Sequence, residues 1–156
     1  MKPYIAPIST SELVQRWLKR SRESQFAHYY MAEILSSRNR KLGISTITLT
    51  ATTGLTSILS APHDSLIFAI GIASLVAAFL TSLQTFFRYD ERATSHLNAG
   101  AKYASTRRQL EVIAASGVVP TSVEIENIRK ELDSLAERSP NIPKSIFEKA
   151  MKKDAA

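Results

Sequence analysis

The 46 residues between Lys41 and Arg88 contain a single formally charged side chain, that of Asp64. All 20 Lys and Arg residues of the 156-residue chain, and 13 of its 14 acidic residues, lie outside this block. Uncharged stretches of about 20 residues have the length of membrane-spanning helices. This separation of charge restricts the fold more than any other feature, because so short a chain has little material with which to cover such a block.

The block consists of two uncharged stretches, 42–61 and 65–87, with Pro62-His63-Asp64 between them. At about 1.5 Å of rise per residue, helices of these lengths reach roughly 30 Å and 34 Å, the thickness of a hydrocarbon core. Pro62 disfavours helix at the residue before it, so a break is expected there. Two spans cannot close a barrel, so both must be helices. We predict an all-α membrane protein with a two-helix transmembrane hairpin (42–61 and 65–87) and an external turn at 62–64. The alternative is a buried helical hairpin in a soluble protein.

Basic residues near the two stretches predict the orientation of the hairpin. Arg38, Arg40 and Lys41 precede the first stretch, Arg88 and Arg92 follow the second, and the turn contains no Lys or Arg. Because Lys and Arg favour the cytoplasmic side, both termini are expected in the cytoplasm of a multi-pass plasma-membrane protein. The 41 mostly polar residues before the first apolar stretch argue against a cleaved signal peptide.

A helical arm is predicted on the N-terminal side of the hairpin. After a flexible N-terminus (1–8), Ser9 and Glu12 form a capping-box pattern that begins a cytoplasmic arm at 9–41. Nothing in the sequence breaks this helix before the first span, so arm and span are expected to form one continuous helix of about 50 residues. The apolar side of the arm is formed by Leu13, Val14, Trp17, Leu18, Phe26, Tyr30, Ile34 and Leu35.

A second cytoplasmic arm, 88–116, continues the second span with helical spacing, and Gly117 and Pro120 are expected to end it. Two arms that leave an antiparallel hairpin on the same side should pack against each other as a coiled-coil-like stalk.

The C-terminal helical tail (117–156) is predicted to contain two helices. Thr121 and Glu124 form a second capping box before an amphipathic helix that runs to about Arg138. A Pro-containing linker follows, and then a basic helix at roughly 143–153.

Five hydroxyl residues form a stripe along the first span. They follow a 4-3-4-3 spacing, which places them within about 80° of one another on a helix. One interpretation is helix packing, in which small polar side chains allow close approach and hydrogen-bond across helices or back to their own carbonyls. The other is the wall of a water-filled pore. The stripe residues are Thr46, Thr50, Thr53, Ser57 and Ser60.

The second span has a face of small residues, Gly71, Ser74, Ala78 and Ser82, which is typical of a packing surface between membrane helices. Gln84, near the end of the span, is expected to hydrogen-bond to another helix. One hairpin cannot surround an aqueous path, so a pore requires several copies, and a closed homo-oligomeric ring is the usual geometry.

The sequence contains none of the motifs that would indicate catalysis. It has no Gly-rich phosphate loop, HExxH, GxSxG or Cys, so we expect no enzyme, no metal and no cofactor. His28, His63 and His96 are far apart in sequence, and each is expected to be a surface or satisfied helix residue. The eight basic and three acidic residues of 1–41 suit the anionic inner leaflet, or alternatively an anionic nucleotide. No groove-reading motif indicates nucleic-acid binding.

The segment after the second span has a distinctive pattern of residues. It reads Gln84-Thr85-Phe86-Phe87-Arg88-Tyr89-Asp90-Glu91-Arg92-Ala93-x-x-His96-x-x-Ala99-Gly100-x-x-Tyr103-x-x-x-Arg107-Arg108-x-x-Glu111. This segment resembles the post-membrane helix of the SLATT family (SMODS and SLOG-associating two-transmembrane effector domains). The upstream order is similar too, with Trp17, Tyr29-Tyr30 and the Lys41-to-Ile44 entry into the first span. The resemblance covers about residues 10 to 115.

The resemblance implies a membrane effector of a bacterial anti-phage conflict system in the inner membrane. Such effectors are thought to accompany nucleotide-signalling enzymes, nucleotide sensors or reverse transcriptases, and to open a pore or disrupt the membrane, causing cell death or growth arrest. A nucleotide-derived activator would act directly or through a partner. Carried over, Arg92, His96, Tyr103 and Arg107 would hold the arms in register or transmit the signal, and Tyr89 and Glu91 would fix the membrane exit.

Two other functions fit the same architecture. A non-conducting membrane adaptor would use the hairpin as an anchor and recruit a cytoplasmic partner through its helices. A small-molecule transporter is disfavoured, because neither span contains a charged residue.

Overall fold

The computed structural model describes residues 5–59 and 64–154, and this part of the chain is helical with no strand, which confirms the all-α prediction. Two compact units are present. Unit 1 combines the described residues up to Ala32 with those from Thr94 onwards, and unit 2 is Glu33–Ala93. The helices are α1 (Thr10–Leu59), α2 (Asp64–Phe87), α3 (Tyr89–Ser116), α4 (Ser122–Arg138) and α5 (Lys144–Asp154).

Helix α1 is a single helix of 50 residues, as the absence of helix breakers predicts. At its start the Ser9 hydroxyl accepts a hydrogen bond from the Glu12 N–H (3.1 Å), which is one half of the expected capping box. The Glu12 carboxylate accepts from the Ile8 N–H (2.9 Å) instead of the Ser9 N–H. Of the N-terminus predicted to be flexible (1–8), residues 1–4 lie outside the described part, and the Ile5 carbonyl accepts a hydrogen bond from Arg16.

Unit 1 is built around a core to which α1, α3 and α4 each contribute one buried aliphatic residue. Val14, Leu110 and Ile128 form this core, and half-buried side chains such as Trp17 and Leu132 pack against it. Beside it, the Thr106 hydroxyl of α3 donates a hydrogen bond to a Glu131 carboxylate oxygen of α4 (2.8 Å).

Helix α5 also packs within unit 1. Its Ala150 is buried, and Arg22 of α1 forms an ion pair with Asp154 of α5 at 3.0 Å. The C-terminal segment, predicted only as a tail, therefore contributes to the packing of this unit.

The connection from α3 to α4 follows the sequence signals closely. Gly117 has φ +67°, the left-handed conformation that ends helices at glycine with little steric cost. At the start of α4 the Thr121 hydroxyl accepts from the Glu124 N–H (3.3 Å), and the Glu124 carboxylate accepts from the Thr121 N–H (2.8 Å). This complete capping box confirms the predicted start of the helix.

In unit 2 the C-terminal part of α1 and helix α2 contact each other. Gln84 donates a side-chain hydrogen bond to the Asn39 side-chain oxygen (3.0 Å), and a Cβ at Gly43 would lie 3.6 Å from the Gln84 amide nitrogen. This confirms that Gln84 bonds to another helix. The shielded side chains on both helices follow a 4-3 spacing, the pattern of a helix-packing seam. They are Leu42, Thr46, Leu49, Thr53 and Thr56 on α1, and Leu66, Ile70, Ala73, Ala77, Leu80 and Gln84 on α2.

One helical run in the described part of the chain, Asp64–Ser116, contains a stretch long and apolar enough to cross a membrane, and only 6% of that stretch is buried. The stretch belongs to α2, where Ile67, Phe68, Leu75 and Phe79 are all more than half exposed. The C-terminal part of α1 is less apolar, because Thr and Ser interrupt its aliphatic residues. The two-span hairpin therefore stays a prediction, and Ser60, Ala61, Pro62 and His63 lie outside the described residues.

The predicted continuation of the second span into its arm is interrupted at one residue. Arg88, between α2 and α3, has φ +46°, which is uncommon for a residue with a side chain. Hydrogen bonds continue on both sides of it, from the Arg88 N–H to the Gln84 carbonyl (3.2 Å) and from the Arg92 N–H to the Arg88 carbonyl (3.1 Å). The helical path is thus distorted without a loss of backbone hydrogen bonding at these two positions.

Gly100→Ala should destabilise unit 1, because a Cβ at this position would lie 2.7 Å from two ring atoms of Tyr29. Overpacking costs about 1–3 kcal/mol, and the better helix propensity of Ala offsets roughly 1 kcal/mol of this. We expect a lower thermal midpoint for the full-length variant in detergent. Gly54→Ala is the matched control, since no atom lies within 4 Å of its Cβ, and it should not lower the midpoint. Equal midpoints for both variants would contradict the close approach at Gly100.

Candidate functional site

The most unusual feature of unit 1 is a row of buried polar side chains along the seam between α1 and α3. On α1, Ser21, Gln25 and His28 are buried at intervals of four and three residues. These are positions at which paired helices usually carry apolar side chains. Gly100 of α3 lies opposite, and its missing side chain lets the backbone of α3 approach the Tyr29 ring and the Gln25 carbonyl.

His28 of α1 and His96 of α3 meet in this seam. Their Nδ1 atoms are 2.9 Å apart, and the two residues are 4% and 2% exposed. At this distance one Nδ1 must carry a hydrogen and donate it to the other, so the rings hold different tautomers or protonation states. Tyr103 stacks on the His28 ring, with 5.6 Å between centroids and an interplanar angle of 16°.

Burial, with a further contribution from the adjacent His96 ring, lowers the pKa of His28 from 6.5 to about 4. A buried imidazolium lacks the hydration that it has in water, and a second positive charge beside it would add repulsion. His28 is therefore neutral near pH 7, which is compatible with the short contact, since at least one of the two Nδ1 atoms must lack a hydrogen.

Three buried polar atoms in unit 1 have no hydrogen-bond partner among the described residues: Ser21 Oγ, Gln25 Oε1 and Arg107 Nε. Arg107 Nε lies 3.4 Å from a Glu111 carboxylate oxygen, so it has an ion pair without a properly oriented hydrogen bond. Leaving a buried polar group unsatisfied costs about 1–3 kcal/mol. This unit therefore retains polar groups that reduce its stability.

The residues predicted to couple the arms occupy different environments. His96 and Tyr103 are buried in the seam, whereas Arg107 is half-buried and Arg92 is exposed. Near the end of the second span, Tyr89 stacks on Phe87 with 5.3 Å between centroids, and Glu91 forms an ion pair with Arg88. His96 and Tyr103 are thus the two of these residues in direct contact with His28 of α1.

The hydroxyl stripe of the first span divides between two surfaces. Thr46 and Thr53 are half-buried in the seam with α2, whereas Thr50 and Ser57 are exposed. Each of these four hydroxyls donates to a carbonyl one turn earlier in its own helix, at 2.8–2.9 Å. Ser60 lies outside the described residues. Among the described residues, the hydroxyls of the stripe are therefore satisfied by α1 itself.

The small-residue face of the second span does not contact α1. Gly71, Ser74, Ala78 and Ser82 are exposed, and the seam uses the neighbouring row that contains Ala73 and Ala77. A Cβ at Gly71 would meet no atom within 4 Å. This face is accessible in unit 2.

Sequence reasoning missed His28, Ser21 and Gln25 as a connected set. His28 and His96 are satisfied helix residues, as expected, but the sequence did not predict that they satisfy each other, because 68 positions separate them. Of the predicted apolar side of the arm, Val14 and Leu35 are buried, whereas Phe26 and Tyr30 are half-buried. The sequence does contain a signal for this set, because Val14, Ser21, Gln25 and His28 follow the 4-3 spacing of a helix-packing seam. The signal is recognised only if polar residues are accepted at seam positions.

Among the residues that the structure describes, no group of three or more His, Cys, Asp or Glu side chains could hold a metal ion. Comparisons of the chain with protein-family profiles, with curated proteins and with solved structures found no match.

His28 should make the stability of the protein depend on pH. The pKa of His28 is about 4 in the folded protein and 6.5 in the unfolded chain. As the pH falls, the unfolded chain therefore binds a proton at His28 before the folded protein does. Stability is then lost between about pH 6.5 and pH 4, by up to about 3 kcal/mol. Thermal unfolding of the full-length protein in detergent should show this loss.

His28→Gln should flatten the pH dependence in this range, because an amide hydrogen-bonds without titrating. Glu23→Gln is the control, since it removes a carboxylate from the same helix outside the histidine pair, and it should leave the loss of stability intact. Identical pH profiles for wild type and His28→Gln would contradict a buried neutral His28.

Proposed function

We propose that this protein is a two-span membrane effector of bacterial anti-phage defence. Copies of it would associate in the inner membrane and open a path that causes cell death or growth arrest. The observation that carries the proposal is the exposure of α2, an apolar helix whose bulky side chains point away from the rest of its unit.

Lipid is the environment that best suits α2. The core helix of a soluble protein can have the same length and apolar content, but it is mostly buried, whereas 6% of this stretch is buried. Large exposed apolar surfaces mark membrane or partner contacts. The absence of charge from the second stretch, Ser65 to Phe87, favours lipid over an aqueous partner interface.

The hydrogen bonding of α1 supports its role as the other span. A hydroxyl in hydrocarbon needs a partner, and Thr46, Thr50, Thr53 and Ser57 find theirs within the helix. Gln84 likewise bonds to Asn39. Thr and Ser residues make this helix less apolar, but the hydroxyls named above each have a hydrogen-bond partner.

Exposed cations next to the hairpin support the proposed orientation. Arg38, Arg40 and Lys41 are exposed on α1, and Arg88 and Arg92 are exposed after α2. Lys and Arg at these positions favour the cytoplasmic side and its anionic lipids. Both termini would then be cytoplasmic, with Asp64 near the outer surface.

Self-association would use the small-residue face of α2. Gly71, Ser74, Ala78 and Ser82 are exposed in the single chain, and small residues allow membrane helices to approach closely. The exposed hydroxyls of the first span, at Thr50 and Ser57, would face the path in the assembly.

Activation is proposed to come from a nucleotide-derived signal or from a partner, such as a nucleotide-signalling enzyme or sensor. This follows from the resemblance of residues 84–111 to the SLATT pattern. The signal would shift the population towards the open assembly by binding it more tightly than the resting one. His96 and Tyr103, buried against His28, would hold the resting arrangement of the arms.

A non-conducting membrane adaptor is the second candidate. It is favoured by the hydrogen bonds of the stripe hydroxyls to their own helix, which leave the resting span with little polar surface for ions. In this case the hairpin would anchor the cytoplasmic helices, and these would recruit a partner.

The proposed topology can be tested by labelling, since the chain contains no cysteine. We expect Asp64→Cys to react with a membrane-impermeant maleimide in intact spheroplasts. Ser11→Cys and Ser145→Cys should react only after the membrane is permeabilised. The unmodified chain is the control for background labelling. Reaction of all three variants before permeabilisation, or labelling of Ser11→Cys and Ser145→Cys from opposite sides, would contradict the two-span hairpin.

Conduction can be tested by dye leakage from liposomes and by growth after induction. Thr50→Val with Ser57→Ala removes the two exposed stripe hydroxyls, and we expect leakage to fall several-fold if they line the path. Thr48→Val with Thr52→Val is the matched control, because these exposed residues lie on the opposite side of α1 and should change leakage little. If leakage is unchanged in both double variants, the stripe serves helix packing and does not line a path. If the wild-type protein causes no leakage in the presence of its activator, the adaptor function is favoured.

A further inference from the structure

Unit 1 contains a partly enclosed cavity of about 210 Å³ between α1, α3 and α4, next to the apolar core. Trp17 and Ser21 line it from α1, Tyr103 from α3, and Arg129 and Asp133 from α4. The cavity is smaller than the pockets that hold drug-sized ligands, which begin at about 300 Å³. Its occupant must therefore be a small molecule.

Ser21 provides the first indication of a ligand. The residue is fully buried, it belongs to the wall of the cavity, and its hydroxyl has no hydrogen-bond partner among the described residues. Buried hydroxyls are normally satisfied, so an unpartnered one beside a cavity marks a place where a polar group of a bound molecule would be stabilised.

The charges around the cavity favour an anion. On α4, Arg129 binds both Glu126 (2.7 Å) and Asp133 (2.6 Å), and Lys130 also pairs with Glu126 (3.7 Å), so the two cations and two carboxylates balance. Arg20 also lines the cavity, and it forms no hydrogen bond or ion pair with any described residue. One uncompensated guanidinium remains, and guanidinium groups bind carboxylates through paired hydrogen bonds.

Aromatic side chains shape the rest of the wall. Trp17 and Tyr103 both line the cavity, and aromatic walls favour a planar ring over an aliphatic chain. Tyr103 also stacks on His28, so the cavity adjoins the buried histidine pair through one shared side chain.

We propose that this cavity is a binding site for a small planar aromatic or heteroaromatic anion, in which a carboxylate is held by Arg20, a polar ring atom by Ser21, and the ring by Trp17 and Tyr103. The site is independent of pore formation, so it can be tested whether or not the protein conducts.

Trp17 is the sole tryptophan of the chain, so its fluorescence reports directly on this site. The full-length protein in detergent is titrated with sodium nicotinate, a planar heteroaromatic carboxylate. A ligand of about nine non-hydrogen atoms binds in the millimolar to micromolar range, so the titration extends to about 20 mM. We expect saturable quenching of Trp17 fluorescence by nicotinate and a rise in the thermal midpoint.

Two further probes separate the contributions to binding. Nicotinamide has the same ring without the charge, and acetate has the charge without the ring, so each should bind at least about tenfold more weakly than nicotinate. The proposal would be overturned if nicotinate and nicotinamide quenched Trp17 equally and without saturation, to the same extent as they quench free N-acetyltryptophanamide. That result would indicate collisional quenching without binding.

Substitutions locate the site. Arg20→Gln should weaken nicotinate binding by about tenfold or more, and Ser21→Ala should weaken it to a lesser extent while leaving the protein folded, because it removes an unsatisfied hydroxyl. Lys19→Gln is the matched control: it removes the same charge one residue away, outside the cavity wall, and should leave binding unchanged. Equal losses in Arg20→Gln and Lys19→Gln would show general charge attraction and contradict a built site.

Discussion

The contact between α1 and α3 is the interaction on which the rest of unit 1 depends. It is close because Gly100 has no side chain, and it is polar because His28 and His96 bond to each other inside it. Helix α4 adds its Ile128 to the core and is tied to α3 by Thr106 and Glu131. A seam of this kind has few alternative registers, since sliding one helix past the other would break the hydrogen bond between the two buried imidazoles.

Local signals in the sequence predicted most of the helices, because each depends on residues within a few positions. Thr121 with Glu124, and Gly117 alone, mark helix ends through their own backbone chemistry. Contacts between distant segments could not be predicted in the same way. The small residues on α2 that lie in the seam with α1 are Ala73 and Ala77, and the sequence did not single them out, because several small residues occur close together on adjacent faces.

The candidate site illustrates the same limit more sharply. His96, Tyr103 and Arg107 were chosen through a resemblance, and two of them are buried in the seam. Their partner, His28, had no distinguishing local pattern, and Ser21 resembled an ordinary interruption of an apolar helix face. Only the folded arrangement reveals that Ser21 has an unsatisfied hydroxyl beside a cavity and that Tyr103 connects this cavity to the imidazole pair.

The hydroxyls of α1 point back to its own carbonyls, and this has a consequence for what the helix presents to its surroundings. Threonine carries a methyl and a hydroxyl on the same carbon, and in helices it adopts two rotamers of similar stability. A rotation about χ1 at Thr50 therefore exchanges one group for the other with no movement of the backbone. Presenting the Thr50 hydroxyl to water therefore requires breaking its bond to the Thr46 carbonyl, and it requires no movement of the helix axis.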